Sequence, residues 1–412
     1  MKKEIPFNSK IIEKIKKEHG TPFYLYDERG IKSAARDLNE AFSWNKGFKE
    51  FYAVKANPNP RILEILKKES CGADASSLAE LIVADRAGVR GESIMFSSNN
   101  TPAGEFKKAK ELGAIINLDD ISHISYLEEY VGIPDIISFR YNPGVLRESG
   151  GNEIIGTPKE AKFGLTKEQI FEAYETMRDK GVSRFGIHTM VVSNELDTKQ
   201  FMYTAEMMFE LVADLSRELN IDFEFVNLGG GLGIPYHPEQ EEINLNAVSA
   251  SVKKAYEKHI EGNNLPDLKI FMENGRYITG PYGYLVASVR HIKHTHKDFV
   301  GLDASMSDLM RPGMYGAYHH ITVLEKDGED TIYDVTGSLC ENNDKFAIDR
   351  NLPKLERGDV LIIHDAGAHG HAMGFNYNGK LRPAEFLLAE NGTVEMIRRA
   401  ETLEDYFNTL EF

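Results

Sequence analysis

Between about residue 30 and residue 270 the chain alternates two textures. Short apolar runs recur at residues 50–54, 93–96, 114–117, 136–140, 185–187, 225–228 and 268–272, and amphipathic stretches such as 61–69 and 201–219 lie between them. The runs have the length of buried strands, and the stretches between them have helical spacing. Strand then helix, repeated, predicts parallel strands joined by crossover helices. About eight such units fit the stretch, the size of a (β/α)8 barrel, with a doubly wound open sheet as the alternative. After residue 280 the texture changes. GYLVASVRHIKH, HHITVLEK and VLIIHDAG are extended segments joined by turns such as KDGED and LERGD, which predicts an antiparallel β domain. The early segment PFYLYD is extended as well and is a candidate to join that sheet. The expected organisation is a barrel over residues 30–275 and a β-rich domain built from 1–29 and 276–412, in keeping with a length of 412 residues.

Composition narrows the class. An apolar share of 42% supports large cores, and the formal charge of −16 repels nucleic acid and anionic membrane. Two cysteines, Cys71 and Cys340, make no disulfide framework and suit a reducing compartment. The start MKKEIPFNSK has no apolar stretch behind it and does not read as a signal peptide. No window approaches the roughly 18 apolar residues of a membrane span. The expected location is the cytoplasm, with no membrane and no nucleic-acid partner.

In a barrel, chemistry gathers at the C-terminal ends of the strands. Lys55 after EFYAV, Asn142-Pro143 after SFRY, Ser193 after GIHTMVV, Gly229, Gly230 and Gly231 after FVNL, and Glu273 after KIFM all fall there. A lysine desolvated at a strand end is a nucleophilic amine, although a lysine leaving a strand for solvent fits that run as well. Three glycines after a strand expose N–H groups to a phosphate, and they also suit a plain tight turn. The continuation to Pro235 and Tyr236 does not suit a dinucleotide fingerprint. In MENGR, Glu273 is a carboxylate able to pair with a protonated ring nitrogen and Arg276 a fork for a carboxylate; a mutual salt bridge is the plainer reading. DLMRPGMYGAYHH brings Arg311 and Tyr315 together, and its two histidines lack zinc-ligand spacing, so no metal is expected. In GSLCENND, Cys340 beside Glu341 is a thiol able to donate a proton, against the plainer reading of a small buried residue. Cys71 reads as structural.

Taken in order, FYAVKANPNP, GADASSLAEL, RYNPG, KFGL, GGGLGIPY, ENGR, DLMRPGMYGAYHHI, CENND and DAGA…YN resemble the fold-type III pyridoxal-phosphate decarboxylases, and among them the diaminopimelate decarboxylases. The resemblance runs from PFYLYD to RPAEFLL. It implies an alanine-racemase-like barrel with a C-terminal β domain, pyridoxal 5'-phosphate as cofactor, and decarboxylation of meso-2,6-diaminopimelate to L-lysine. It implies that Lys55 carries the cofactor as a Schiff base and Glu273 pairs with its ring nitrogen. Ser193, Gly229, Gly230, Gly231, Gly275 and Arg276 would hold the cofactor. Arg276, Arg311 and Tyr315 would grip substrate carboxylates, Glu341 the distal amine, and Cys340 would protonate the carbanion. A homodimer with shared active sites is implied too. Two departures stand out. Met190 replaces the histidine of the family's usual HIGS or HVGS, and His369 replaces the tyrosine of its usual GAY, with Tyr377 as a possible substitute. Asn274 replaces a proline, a minor change. The departures leave open another basic amino acid, such as ornithine or lysine of either hand, as substrate. A racemase, a catalytically silent regulatory homologue and a barrel for a different phosphate ligand are the rival readings.

Overall fold

The computed structural model describes residues 3–144, 159–328 and 330–412. The chain forms two compact units, one from Lys32–Ile234 and Glu242–Ile278, the other from Met1–Ile31, Pro235–Glu241 and Thr279–Phe412.

Strand β1 (Phe23–Asp27) belongs to the second unit. The first unit is a closed barrel of eight parallel strands in chain order: β2 (Lys49–Ala53), β3 (Gly72–Ala75), β4 (Ile94–Ser98), β5 (Ile115–Leu118), β6 (Ile136–Tyr141), β7 (Arg184–Thr189), β8 (Phe223–Asn227) and β9 (Lys269–Met272). Closure comes from β9 pairing with β2, Phe271 opposite Lys49 and Met272 opposite Glu50, so the open-sheet alternative falls away. The seven apolar runs correspond to seven of these strands. The eighth, β3, is GADA. Its residues are small or acidic, yet all four are buried, so burial here leaves no apolar signature.

The helices start where the chain chemistry allows. Pro60–Lys68 opens with the Asn59 side chain accepting from the Arg61 N–H and with proline in the first turn, where its missing N–H is no loss. Thr198–Leu219 is capped by Asp197 and ends at Asn220 in the left-handed region. Towards the strand starts the barrel interior is apolar, with Phe51, Met95, Ile115, Ile136, Phe225 and Phe271 in one buried cluster. Phe225 and Phe271 stack with centroids 4.5 Å apart. Gly186 makes room for this stack: a Cβ added there would lie 1.9 Å from the Phe225 ring. Further along the strands the inward positions turn polar, with Asn117, Ser138, His188 and Asn227 all buried.

The second unit is a nine-stranded sheet. Its further strands are β10 (Gly283–His294), β11 (Asp298–Leu302), β12 (Ile321–Val323), β13 (Thr331–Thr336), β14 (Lys345–Leu352), β15 (Val360–Ile363), β16 (Ala384–Leu388) and β17 (Val394–Arg398). The main path runs β14-β13-β11-β10-β1-β16-β17, with β15 joining β10 to β12. The expected antiparallel sheet is in fact mixed, because β1 runs parallel to β16 and β11 parallel to β13. Hairpin-like texture does not reveal this. Neither parallel pair joins consecutive strands: β12 intervenes between β11 and β13, and most of the chain between β1 and β16, so no tight hairpin fixes their direction. The core of this unit packs Phe23, Leu25, Tyr284, Val286, Ile362 and Phe386 against Ile12 and Ile15 of helix Ser9–His19. Among the described residues no helix is long and apolar enough to cross a membrane.

Gly186→Ala should overpack the aromatic stack and lower unfolding free energy by about 1–3 kcal/mol, measured by urea denaturation. A loss below about 0.5 kcal/mol would show that Phe225 yields freely.

Candidate active site

Lys55 leaves the end of β2 in a single tight turn, Val54–Ala56, whose flanking residues are buried. Its own side chain is 55% exposed, and its Nζ lies 3.9 Å from Oδ2 of Asp74. Of the two readings open for this residue, the structure has the lysine leaving the strand for solvent and not the desolvated one. The apolar strand buries the stem of the turn and presents the amine to solvent, where an incoming carbonyl can reach it. Asp74, inward on β3, is buried and its Oδ1 has no hydrogen-bond partner. Burial, then the negative charge of Glu273, pushes its carboxyl well above the usual range, against the pull of Lys55.

Glu273 follows β9 directly and is buried. Asn227 Nδ2 donates to its Oε1 at 2.6 Å and His188 Nε2 to its Oε2 at 3.1 Å. Burial alone would push this carboxyl up. His188, Lys55 and Asn227 outweigh burial and hold it below its ordinary value. The donors are themselves held. Asn117 Nδ2 donates to His188 Nδ1 at 3.2 Å, and Ser138 Oγ donates to Asn117 Oδ1 at 2.8 Å. These side chains come from β5, β6, β7 and β8, with Glu273 after β9, so one layer of the barrel interior is polar around half its circumference. Sequence reasoning missed Asp74, Asn117, Ser138, His188 and Asn227. Their signal was a polar residue at an inward position in otherwise buried runs: IINL, IISFRY, GIHT and FEFVN.

The glycine loop after β8 is pressed against the backbone of Glu273. Gly229 and Gly231 have φ of 71° and 99°, and a Cβ at Gly230 would lie 2.1 Å from the Glu273 carbonyl oxygen. Only glycine tolerates this combination. The Glu273 N–H donates to Gly229 O at 2.9 Å. Asn274 ties the same loop down: its backbone and side-chain N–H groups donate to the buried Glu50 carboxylate at 2.5 and 3.1 Å, and its Oδ1 accepts from Leu232. The asparagine in place of the expected proline is thus a structural knot rather than a minor change. Met190 touches the loop too, its sulphur 3.2 Å from the Gly230 nitrogen. Gly275 packs on Ala56, where a Cβ would approach to 2.6 Å. Arg276 is buried at the start of the short helix Arg276–Thr279, and Ser193 follows β7.

In the second unit the Cys340 loop follows β13. Cys340 is a free, exposed thiol, and its N–H donates to Asn378 Oδ1 at 2.6 Å. Asp344 braces the loop by accepting from Met306 and Leu339 at 2.6 and 2.7 Å. Glu341 and Tyr377 line one open cavity of about 390 Å³ with Met306, Met314 and Phe375. Helix Arg311–Tyr315 borders this cavity through Gly313 and Met314. Arg311 is buried with its guanidinium 5.1 Å from the Tyr236 ring centroid, and Tyr315 is 51% exposed. Cys340, Glu341 and Tyr377 are thus brought together, with Arg311 and Tyr315 on the bordering helix. His369 lies on the loop after β15 with a left-handed φ of 55°. His319 is a core histidine, its Nδ1 donating to His364 O at 2.8 Å. The Cys71 thiol is buried and pushed up by that burial.

Residues 28–280 match the family described as pyridoxal-dependent decarboxylase, pyridoxal binding domain. Protein TabA of Pseudomonas amygdali pv. tabaci is 44% identical over 404 residues, covering 98% of this chain and 94% of the relative. Diaminopimelate decarboxylase of Methanothermobacter thermautotrophicus is 38% identical over 392 residues, covering 94% of this chain and 91% of the relative. The crystal structure of diaminopimelate decarboxylase from M. jannaschii with L-lysine superposes with a TM-score of 0.90 at 34% identity, covering 97% of this chain and 94% of that one. The barrel residues fit the pyridoxal cofactor that the family description names. A reachable amine suits an aldehyde, an ionised buried carboxylate suits a ring nitrogen, and the glycine loop has an N–H that meets a thioether instead of an oxygen.

Asp74 gives a pH test in the cofactor-free protein. A carboxyl raised on folding contributes stability that is present below its unfolded pKa of about 3.9 and is lost as pH rises towards the folded value. Wild type should therefore lose stability relative to Asp74→Asn between about pH 3 and pH 7, followed by thermal denaturation. A constant difference would show that Asp74 ionises freely.

Proposed function

The chain belongs to the pyridoxal-dependent decarboxylases, and on that premise we propose that it releases carbon dioxide from meso-2,6-diaminopimelate to leave L-lysine. It is an amino-acid carboxy-lyase whose cofactor is pyridoxal 5'-phosphate. The observation that carries the reading is the buried Glu273 carboxylate, held ionised on the barrel rim that also bears Lys55.

When bound, the cofactor supplies an electron sink for the carbanion left by departing carbon dioxide. Lys55 Nζ would hold the cofactor through its aldehyde until a substrate amine takes its place, and Glu273 would keep the ring nitrogen protonated. Ser193, Gly229, Gly230, Gly231 and Gly275 would hold the cofactor's phosphate, and Arg276, His369 and Tyr377 would be further cofactor contacts. Arg276, Arg311 and Tyr315 take the substrate's carboxylates; a guanidinium fork does this better than an ammonium. Glu341 takes the distal ammonium. The Cys340 thiol delivers a proton to the α-carbon, a role its exposure supports. The active form is a homodimer in which the cysteine loop serves the partner copy, and its setting is the cytoplasm, where a free exposed thiol survives.

A second reading has its own observation. Met190 touches the glycine loop where the family usually carries a histidine, and a relative 44% identical has a name that specifies no diaminopimelate substrate. On that reading the same machinery decarboxylates another basic amino acid.

Carbon dioxide evolution from meso-diaminopimelate, L-lysine, D-lysine and ornithine separates the two. The highest kcat/KM is expected with meso-diaminopimelate; a preference for another member transfers the proposal to it. Lys55→Ala, reconstituted with pyridoxal phosphate, should lose the visible absorbance, borohydride labelling and turnover together. A variant that keeps all three ends the covalent role. Cys340→Ala should keep the absorbance and lose about 10²–10⁴-fold in kcat, the usual worth of a positioned proton donor; unchanged kcat removes the thiol from the reaction.

A further inference from the structure

We propose that His188 is a positioning residue for this decarboxylation: its Nε2–H keeps Glu273 ionised and aimed, and Asn117 and Ser138 keep His188 in the state that donates. The proposal rests on the reading that Glu273 pairs with the cofactor's ring nitrogen.

The chain of donors has one direction. Ser138 Oγ–H donates to Asn117 Oδ1. The Asn117 amide then donates to His188 Nδ1 and also to Ser97 Oγ, at 3.2 and 3.3 Å. With Nδ1 accepting, the proton of the imidazole sits on Nε2 and faces Glu273 Oε2 at 3.1 Å. Every member from Ser138 to Glu273 is buried, so no solvent is at hand to replace a lost partner. The two donors seen on the carboxylate are His188 and Asn227, one per oxygen. Lys55 and Arg140 are the cations facing it, from the turn after β2 and from β6; Asp74 on β3 and Glu50 on β2 are the acids. Arg140 is already engaged by Asp119 at 3.4 Å, and the Lys55 amine is the group that reacts. Holding Glu273 charged through a catalytic cycle therefore falls on His188 and Asn227. Without the histidine, burial would lift the carboxyl towards its neutral form, and a neutral acid accepts a ring-nitrogen proton poorly.

The test compares His188→Leu with His188→Gln. Neither side chain titrates, and only glutamine keeps an N–H donor. In cofactor-free protein the donor lowers the Glu273 carboxyl, so the stability it adds is present above about pH 4.3, the unfolded value, and is lost as pH falls through the folded one. The leucine variant should melt progressively below the glutamine variant as pH rises from about 3 to 7. An equal gap at both pH values would make His188 a packing residue and overturn the proposal. In the reconstituted enzyme, His188→Leu should lower kcat about 10–100-fold, the worth of a hydrogen bond to a charged group, with KM little changed, and His188→Gln should recover most of it. His188→Leu/Glu273→Gln should turn over no more slowly than Glu273→Gln alone. If Glu273→Gln leaves the visible spectrum and kcat intact, the reading of Glu273 itself fails. If Glu273→Gln is inactive while His188→Leu matches wild type, the relay alone fails. Should His188→Leu not fold, Asn117→Leu probes the preceding link through the ¹⁵N resonances of the His188 ring in cofactor-free protein. A pure Nε2–H tautomer that becomes mixed supports the relay; an unchanged tautomer overturns it.

Discussion

A carboxylate taken out of water must be met by donors or it takes up a proton. Glu273 sits at the end of β9 with its side chain inside the barrel, and that placement governs what its neighbours can be. A barrel interior is ordinarily filled by branched apolar side chains in layers. Here the layer nearest the strand starts obeys that rule through Phe51, Phe225 and Phe271. The next layer gives it up, strand by strand, to Asn117, Ser138, His188 and Asn227. Ser138 donates to Asn117, Asn117 to His188, and His188 and Asn227 each to one oxygen of Glu273, so the donors end on an anion without leaving a polar group stranded.

The backbone around Glu273 is constrained just as tightly. The glycine loop lies against the Glu273 carbonyl, and Asn274 fastens loop and strand end to the buried Glu50. Gly275 then lets the chain pass within contact of Ala56, next to Lys55. The glycine loop, the acid and the amine are therefore not three independent features. A shift in any one is transmitted through contacts that tolerate no Cβ. Precision on this scale is what a site needs when reacting groups must be held near their productive geometry.

Much of this could be read along the chain, and what could not has physical reasons. The alternation of apolar runs with amphipathic stretches is dictated by parallel strands buried on both faces, which is why seven barrel strands were visible. GADA was not, because β3 is short and its buried positions are filled by small residues and by Asp74. Lys55, Glu273 and the glycines were legible as strand-end residues. Their partners were not, because a single histidine or asparagine inside an apolar run looks like an imperfection until neighbouring strands align such residues. The exposure of the Lys55 amine stayed open between two readings for a related reason: apolar neighbours along the chain bury the backbone turn, and say nothing of the long side chain that leaves it. The mixed sheet of the second unit was illegible because β1 and β16 meet across almost the whole chain.

The division of labour between the two units bears on how the chain can differ from relatives that share most of its motifs. On the proposed reading, loss of carbon dioxide draws on the amine, the charged acid and the glycine loop, and all of these lie in the barrel unit. Selection among amino acids needs groups that read the far end of a substrate, and of the candidates for that Arg311, Tyr315 and Glu341 lie in the second unit and Arg276 in the barrel. Met190 belongs to the first set. A thioether is a weak acceptor, so the Gly230 N–H that it meets is easily surrendered to a phosphate oxygen. It is also soft and adaptable in packing, and it places no second donor beside the ring. On these grounds Met190 bears on the grip on the cofactor's face first, and on the choice of substrate through that grip. A change of substrate would draw as well on the cavity edged by Glu341, Met314 and Tyr377.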